Sequence, residues 1–108
     1  PSYEFPENLD AADIKAFLEK YIEVYSAEDT KEEWFAKIKE IAPSLGFAAE
    51  TKEYKANKEA YKGSAGDLST ILRIAVTGRR NTPDLCSIMQ VLGKDKCISR
   101  MNDAISNI

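Results

Sequence analysis

Three arginines surround a glycine in the stretch RIAVTGRRNTPDL, which spans residues 73–85. Arg73 lies five positions before Gly78, and Arg79 and Arg80 follow that glycine directly. A guanidinium group is a planar donor that stacks on nucleic-acid bases and binds base edges or phosphates through paired hydrogen bonds. This stretch therefore has the chemistry needed to bind an anionic or nucleic-acid ligand.

Threonines beside these arginines add further donors and acceptors. Arg73 and Thr77 are four residues apart, with Thr70 three residues earlier, so the three share one face of a helix, which we expect to be exposed. Thr82 and Pro83 have the residue types that begin helices, where unpaired backbone amides attract anions. The bases of an RNA loop are unstacked and are read by groups of these kinds.

Lys94 and Arg100, further along the chain, are suited to phosphate contacts that position an RNA without specifying its sequence. For the arginines around Gly78 a structural role stays open, because cations near a helix C-terminus also bind its last carbonyls and oppose its dipole. We place Asp84 at the second position of the helix that Thr82 begins, where its charge would occupy part of the field that attracts anions. The spacing alone is compatible with both roles.

The charges are distributed unevenly along the chain, although the net charge is only −3. Residues 1–50 carry 12 acidic and 5 basic side chains, whereas residues 51–108 carry 6 acidic and 10 basic ones. Such asymmetry favours one face that repels polyanions and another that receives them. The alternative is an ordinary mosaic of solvated surface charges.

The remaining composition excludes several classes of protein. The 108 residues predict one domain, 1–108, and a start at Pro1 rather than Met suggests a piece of a longer protein. No apolar run is long enough for a membrane span and no signal peptide opens the chain, so we expect no membrane partner. The lack of histidine and the presence of only two cysteines exclude an ordinary zinc site. We expect Cys86 and Cys97 to pack on helix faces in a reducing, cytoplasmic compartment.

Apolar residues recur at helical spacing in five segments. Their predicted inward faces are Ile14, Phe17, Leu18, Tyr21, Ile22 and Tyr25; Trp34, Phe35, Ile38, Ile41, Ala42 and Leu45; Leu68, Ile71, Leu72, Ala75 and Val76; Leu85, Ile88, Met89 and Leu92; and Cys97, Ile98, Met101 and Ile105. A short helix or turn followed by a connector is expected within 47–66, where packing is the favoured role of Tyr54 and Tyr61 over base stacking. The pattern predicts an all-α fold, a compact bundle of about five to six helices.

Local signals place the ends of these helices. The predicted caps are Asn8 or Asp10, Thr30 with Glu33 at capping-box spacing, Asp67, and Thr82. The predicted stops are Gly46, Gly78 and Gly93. Pro43 should kink or shorten the second helix, because it lacks an amide proton and crowds the preceding turn.

The run GDLSTILRIAVTGRRNTPDLCSIMQVLGKDKCISRMNDAI, residues 66–105, resembles the C-terminal end of bacterial glutamyl-tRNA synthetases. That family has the segment L-R-x-A-[VL]-T-G, a short variable turn, a small residue before proline, a helix closing on L-G-K, and a last helix with an arginine. The matching residues are Leu72, Arg73, Ala75, Val76, Thr77, Gly78, Thr82, Pro83, Leu92, Gly93, Lys94 and Arg100. TKEEW at 30–34 is similar to the family's lead-in to its tryptophan helix.

The resemblance implies an anticodon-binding domain that approaches the anticodon loop of glutamate tRNA and accompanies the rest of its parent synthetase. It implies anticodon contacts for Arg73 and Thr82. Arg79 and Arg80 fall in the family's variable turn, so their involvement rests on charge and position alone. We expect RNA-binding roles for Arg73, Thr77, Arg79, Arg80, Thr82, Lys94 and Arg100, and no DNA partner.

No nucleophile–base pair or metal-ligand cluster stands out in the sequence, so we expect no catalytic residue, cofactor or metal site in these 108 residues. The HIGH-like and KMSKS-like signatures of class I synthetases are missing from the sequence. The resemblance implies that the parent enzyme uses ATP and Mg²⁺ in a part outside these residues. Two alternatives stay open: a helical module in which the acidic half binds a basic protein, and a structural brace without RNA contact.

Overall fold

The computed structural model describes residue 5 and residues 9–26, 28–78 and 84–107. These residues form six α-helices: α1 (Ala11–Val24), α2 (Lys31–Ile41), α3 (Thr51–Ala56), α4 (Ala65–Thr77), α5 (Leu85–Leu92) and α6 (Lys94–Ser106). Short 3-10 turns follow α2 at Ala42–Leu45 and α3 at Lys58–Ala60. An isolated parallel bridge joins Ala48 to Ser64, and the predicted all-α bundle is confirmed.

Helix α4 occupies the centre of the bundle and packs against α6, α2 and α1. Its predicted apolar stripe is buried, and Ile74, which the stripe leaves out, is only 1% exposed. A helix buried on most of its circumference needs apolar residues beyond a single stripe. Helix α1 also packs against both α6 and α2. The three helices that contact α4 therefore also contact one another through α1.

The capping prediction is confirmed for α2. The Glu33 amide donates to the Thr30 hydroxyl oxygen, and the Thr30 amide donates to the Glu33 carboxylate, both at 3.1 Å. The α-helix ends at Ile41, and the 3-10 turn that contains Pro43 continues the chain to Gly46. The predicted shortening at Pro43 therefore takes the form of a tighter turn before the stop at Gly46.

The predicted start of α4 at Asp67 is wrong, because the helix begins three residues earlier, with Ser64 as its cap. The Ser64 amide donates to the Asp67 carboxylate at 2.8 Å, so Asp67 acts from the third helical position. The Ala65 amide donates to the Ala48 carbonyl at 2.8 Å. This long-range pairing holds the helix start in place, and no local sequence signal reports it.

The start of α5 also differs from the prediction. Asp84 has non-helical backbone angles (φ −54°, ψ 105°) and precedes the first helical residue, Leu85. Its carboxylate accepts the Ser87 hydroxyl at 2.9 Å, a bond between side chains rather than the bond from a backbone amide by which an aspartate usually caps a helix. The predicted cap at Thr82 and first position at Pro83 lie outside the described residues.

Gly78 ends α4 as predicted, with a φ of 76° in the left-handed region that glycine enters without strain. Cys86 and Cys97 are both buried free thiols, which confirms their predicted packing role. The helices in the described parts of the chain are all too short or too polar to cross a membrane.

Candidate nucleic-acid interface

Helices α2 and α4 and the start of α5 enclose an open groove of about 670 Å³. The α2 wall includes Trp34 and Phe35 with Lys31 and Lys39 at its polar edge. The α4 wall includes Ser69 and Arg73, and the α5 end is formed by Asp84 and Leu85. The groove therefore combines aromatic rings, cations and carboxylates, the groups that contact unstacked bases.

Two aromatic residues form the apolar part of the α2 wall. The indole nitrogen of Trp34 donates to the Met89 sulfur at 3.2 Å, which anchors this ring to α5. The Phe35 ring lies beside it, with the ring centres 6.2 Å apart and the planes 25° from parallel. Trp34 is buried at 6% exposure, whereas Phe35 is only half-buried, so Phe35 presents the more accessible ring.

Lys39 lies over Phe35, one helical turn further along α2. Its ammonium nitrogen is 5.1 Å from the centre of the Phe35 ring and 3.0 Å from the Glu50 carboxylate. Residues four apart share a helix face, and a cation over a ring is attracted by its quadrupole. The wall thus presents positive charge directly beside an aromatic surface.

The α4 wall differs from the exposed face that was predicted. Arg73, Thr70 and Thr77 are all partly buried, because α2 packs against this side of the central helix. The hydroxyls of Thr70 and Thr77 donate back to α4, to the carbonyls of Gly66 and Arg73 at 3.1 and 2.7 Å. Of these three residues, only Arg73 lines the groove.

The start of α5 contributes a carboxylate, that of Asp84, to the lining of the groove. The Ser87 hydroxyl and, to a lesser degree, the positive charge of Lys31 hold the pKa of Asp84 below its usual value. The carboxylate therefore stays ionised at neutral pH and remains an acceptor. Carboxylates accept hydrogen bonds from the exocyclic amino groups of bases.

The loop before α2 fixes α5 at the end of the groove. The side-chain amide of Gln90 donates to the Asp29 carbonyl at 2.8 Å, and the Lys37 ammonium binds both Asp29 carboxylate oxygens at 2.8 Å. Asp29 is only 7% exposed, so this ion pair is partly shielded from water. These bonds join α2, the loop and α5 into one support for the groove.

Comparisons with known proteins decide the family. The sequence profile of the family described as "Anticodon binding domain" matches residues 3–105. The chain belongs to this family. No solved structure matches the chain significantly.

Glutamate–tRNA ligases are among the proteins similar to this anticodon-binding domain. The ligase of Acetivibrio thermocellus is 44% identical over 91% of this chain and 18% of that protein. The ligase of Sorangium cellulosum is also 44% identical, over 91% of this chain and 17% of that protein. That of Clostridium perfringens strain 13 is 40% identical over 91% and 18%. The chain thus spans less than a fifth of the length of these curated relatives.

The residues predicted to bind RNA lie in different parts of the anticodon-binding domain. Arg73 lines the groove, whereas Lys94 is exposed on α6. One guanidinium nitrogen of Arg100 donates to the Val76 carbonyl in the last turn of α4 at 2.8 Å. Arg100 therefore contacts the end of α4, a structural contact that the sequence analysis did not assign to it. Three predicted residues, Arg79, Arg80 and Thr82, lie outside the described residues.

Sequence reasoning missed the α2 wall, because it assigned Phe35 to the core. Trp34 and Phe35 are adjacent in the sequence, so their side chains point about 100° apart around α2. They therefore cannot both point to the centre of the bundle. Lys39, four residues after Phe35, was the available signal that Phe35 lies at the polar edge of the stripe. The described residues contain no group of three or more histidine, cysteine, aspartate or glutamate side chains placed to hold a metal.

The interior of the anticodon-binding domain contains polar groups of a different kind. Tyr21 on α1 and Tyr25, which directly follows that helix, stack with ring centres 5.7 Å apart. The buried Tyr21 hydroxyl has no hydrogen-bond partner among the described residues. Burial, with a smaller contribution from the Asp29 charge, raises the pKa of Tyr21 well above its usual value. Burial also raises the pKa of the Cys97 thiol, so the neutral form of both groups is favoured.

Proposed function

We propose that this domain reads the anticodon loop of glutamate tRNA as part of a glutamate–tRNA ligase. The observation that carries the proposal is the groove that places Arg73 opposite an aromatic wall, in a chain of the anticodon-binding family. Its similarity to glutamate–tRNA ligases supports the choice of tRNA. The rest of the parent synthetase is the second partner.

The proposed mechanism is recognition by satisfied hydrogen bonds. Arg73 donates to the edge of a loop base, and the Asp84 carboxylate is available to accept from an amino group. A wrong base does not offer the acceptors that the guanidinium of Arg73 binds, and the loss of a paired contact to a base edge costs on the order of 1–3 kcal/mol. The discrimination therefore depends on hydrogen-bond donors and acceptors whose positions are set by α4 and α5.

The other predicted residues have graded roles in this proposal. Thr82 contacts the anticodon by resemblance to the family, and Arg79 and Arg80 contribute cations from the connection between α4 and α5. Lys94 and Arg100 bind phosphates. Arg100 does so through the guanidinium N–H groups that do not donate to the Val76 carbonyl. Thr77 borders the anticodon contacts. Phosphate contacts add affinity that declines as the salt concentration rises.

In this proposal the chemistry of charging is done elsewhere in the parent enzyme. That part would join glutamate to tRNA with ATP and Mg²⁺ in the cytoplasm, while these 108 residues are a C-terminal domain that selects the tRNA. Binding at the anticodon contributes to catalysis only by favouring the cognate tRNA. This division makes RNA affinity, rather than activity, the direct test of the chain.

The test is a titration of this chain with an anticodon stem-loop of glutamate tRNA. Trp34 is the single tryptophan and lies in the groove wall, so its emission reports on occupancy of the groove. We expect a saturable change in emission, together with amide shifts at Arg73 and Asp84. A stem-loop with a scrambled anticodon should bind more weakly.

An Arg73→Ala variant is the matched control and should lose the preference for the cognate loop. Equal binding of cognate and scrambled loops by the unchanged chain would contradict anticodon reading. No response at millimolar RNA would favour the bracing role. The alternative partner, a basic protein, predicts no competition between that protein and the stem-loop.

A further inference from the structure

The ring of Phe35 is not needed to complete the buried side of α2. Trp34, Ile38 and Ile41 supply that side, each less than 9% exposed. Phe35 instead packs against the edge of the core and keeps a half-exposed ring in the groove. It shares that groove with Arg73, which comes from the facing helix α4.

We propose that Phe35 is a second RNA contact, an aromatic surface on which an unstacked loop base packs opposite Arg73. This inference rests on the proposed function, since the RNA loop must enter the groove. Stacking on an aromatic ring holds a base without reading its identity. Arg73 then reads the edge of a base that Phe35 has held in place.

The charges of the groove favour a base over a bare phosphate. Three cations line it, Lys31, Lys39 and Arg73, together with the carboxylates of Glu32 and Asp84. A phosphate placed between the walls would meet both carboxylates, whereas a base can donate its amino protons to them. The apolar ring surface of Phe35 is likewise complementary to a base and not to a phosphate.

Lys39 completes this contact at the edge of the groove. Its ammonium group is shared between the Phe35 ring at 5.1 Å and the Glu50 carboxylate at 3.0 Å. The ammonium lies over the face of the ring, so a base that stacks on that face takes its place and leaves the ammonium at the ring edge, next to the phosphate of the same nucleotide. Lys39 is therefore the phosphate contact of the same nucleotide.

The experiment compares Phe35→Leu and Phe35→Tyr in the stem-loop titration, with Arg73→Gln as reference. Leucine keeps the apolar bulk that packs against the core but removes the ring, whereas tyrosine keeps the ring. We expect Phe35→Leu to weaken binding about tenfold and Phe35→Tyr to bind as the unchanged chain does. Thermal unfolding shows whether each variant is folded at the temperature of the titration. A weaker Kd in a folded variant then reports a lost RNA contact and not a loss of structure.

Two further measurements address how the walls cooperate. In the Arg73→Gln background, Phe35→Leu should weaken binding less than it does alone, because both side chains contact one base. Lys39→Gln should reduce the slope of log Kd against log salt by about 0.7, the value for one phosphate contact on single-stranded RNA. An unchanged slope would overturn the role of Lys39.

The outcomes distinguish this inference from the proposed function. If Arg73→Gln weakens binding and Phe35→Leu does not, the α2 contact is overturned while anticodon reading stands. If neither variant weakens binding, both are overturned. Equal weakening by leucine and tyrosine would show that any change of shape at this position disturbs the groove, and would overturn the stacking contact.

Discussion

Similar side chains have different surroundings in the groove and in the region where α4 packs against α1 and α6. Arg73 and Phe35 line the groove between α2 and α4. Where α4 packs against α1 and α6, the exposed Arg100 donates to the Val76 carbonyl, and the buried Tyr21 hydroxyl has no hydrogen-bond partner among the described residues. The accessibility of an arginine or aromatic side chain therefore depends on which helices surround it.

The difference teaches that residue type and helical spacing are insufficient to assign a functional arginine. Arg73 and Arg100 both follow apolar stripes and were both predicted to bind RNA. Only the end of α4 lies where Arg100 can satisfy one of its last carbonyls, which lack partners within a helix. Substitutions at the two regions should therefore separate affinity from stability.

The largest effect is expected from Arg73→Gln, which removes the planar donor fork but keeps a polar side chain. The affinity for the anticodon stem-loop should fall by about 1–3 kcal/mol, or roughly tenfold to a hundredfold in Kd. The matched variant Arg100→Gln should weaken RNA binding much less. Equal losses of affinity, measured by fluorescence titration, would contradict the distinction between the two regions.

Arg100→Gln should instead lower stability, because the Val76 carbonyl loses its charged donor. Arg100 is solvent-exposed, so the expected loss is only about 1 kcal/mol. For a domain of this size that corresponds to a fall in melting temperature of about 4–8 °C. Calorimetry of the two arginine variants measures the melting temperatures. An unchanged melting temperature for Arg100→Gln would contradict the structural role of Arg100.

Tyr21→Phe is expected to stabilise the domain by about 1 kcal/mol at neutral pH, because it removes a buried hydroxyl for which the described part of the chain offers no hydrogen-bond partner. Its effect on RNA affinity should be nil, since Tyr21 is fully buried on α1. Urea unfolding measures the change in free energy. A loss of stability would mean that the hydroxyl makes a contact on which the core depends.

The same substitution should alter the response to alkaline pH. The pKa of Tyr21 in the folded state is raised, first by burial and then by the Asp29 charge. A raised pKa contributes stability that is complete below the unfolded value of about 10 and is lost as pH rises above it. The free energy of unfolding should therefore fall less steeply above that pH in Tyr21→Phe than in the unchanged chain.

The smallest effect is expected from Lys94→Gln on the surface of α6. One phosphate contact should be lost, so the salt slope should decrease by about 0.7 while the preference for the cognate loop stays the same. Titrations at several salt concentrations with cognate and scrambled loops measure both quantities. A changed preference would place Lys94 with the base-reading groups of the groove.

Much of the fold was predictable because its signals are local. Thr30 and Glu33 form their capping box from residues three apart, and Gly78 ends α4 with a left-handed φ. The start of α4 was mispredicted because the Ala65 amide pairs with the Ala48 carbonyl, a contact between distant parts of the chain. The role of Phe35 was missed for a similar reason, since the position of α4 determines which edge of α2 stays open.

The sequence by itself determined the helices, the placement of basic residues in the second half and the family motif around Arg73, because propensity, capping and charge act over a few residues. Only the tertiary structure decided which cations meet a groove and which meet protein carbonyls. The packing of α4 against α2 brings Arg73 and Phe35 into the lining of one groove. The packing of α4 against α6 brings Arg100 to the Val76 carbonyl. The physical reason is that packing between helices depends on all of their faces together, whereas spacing along the chain reports one face at a time.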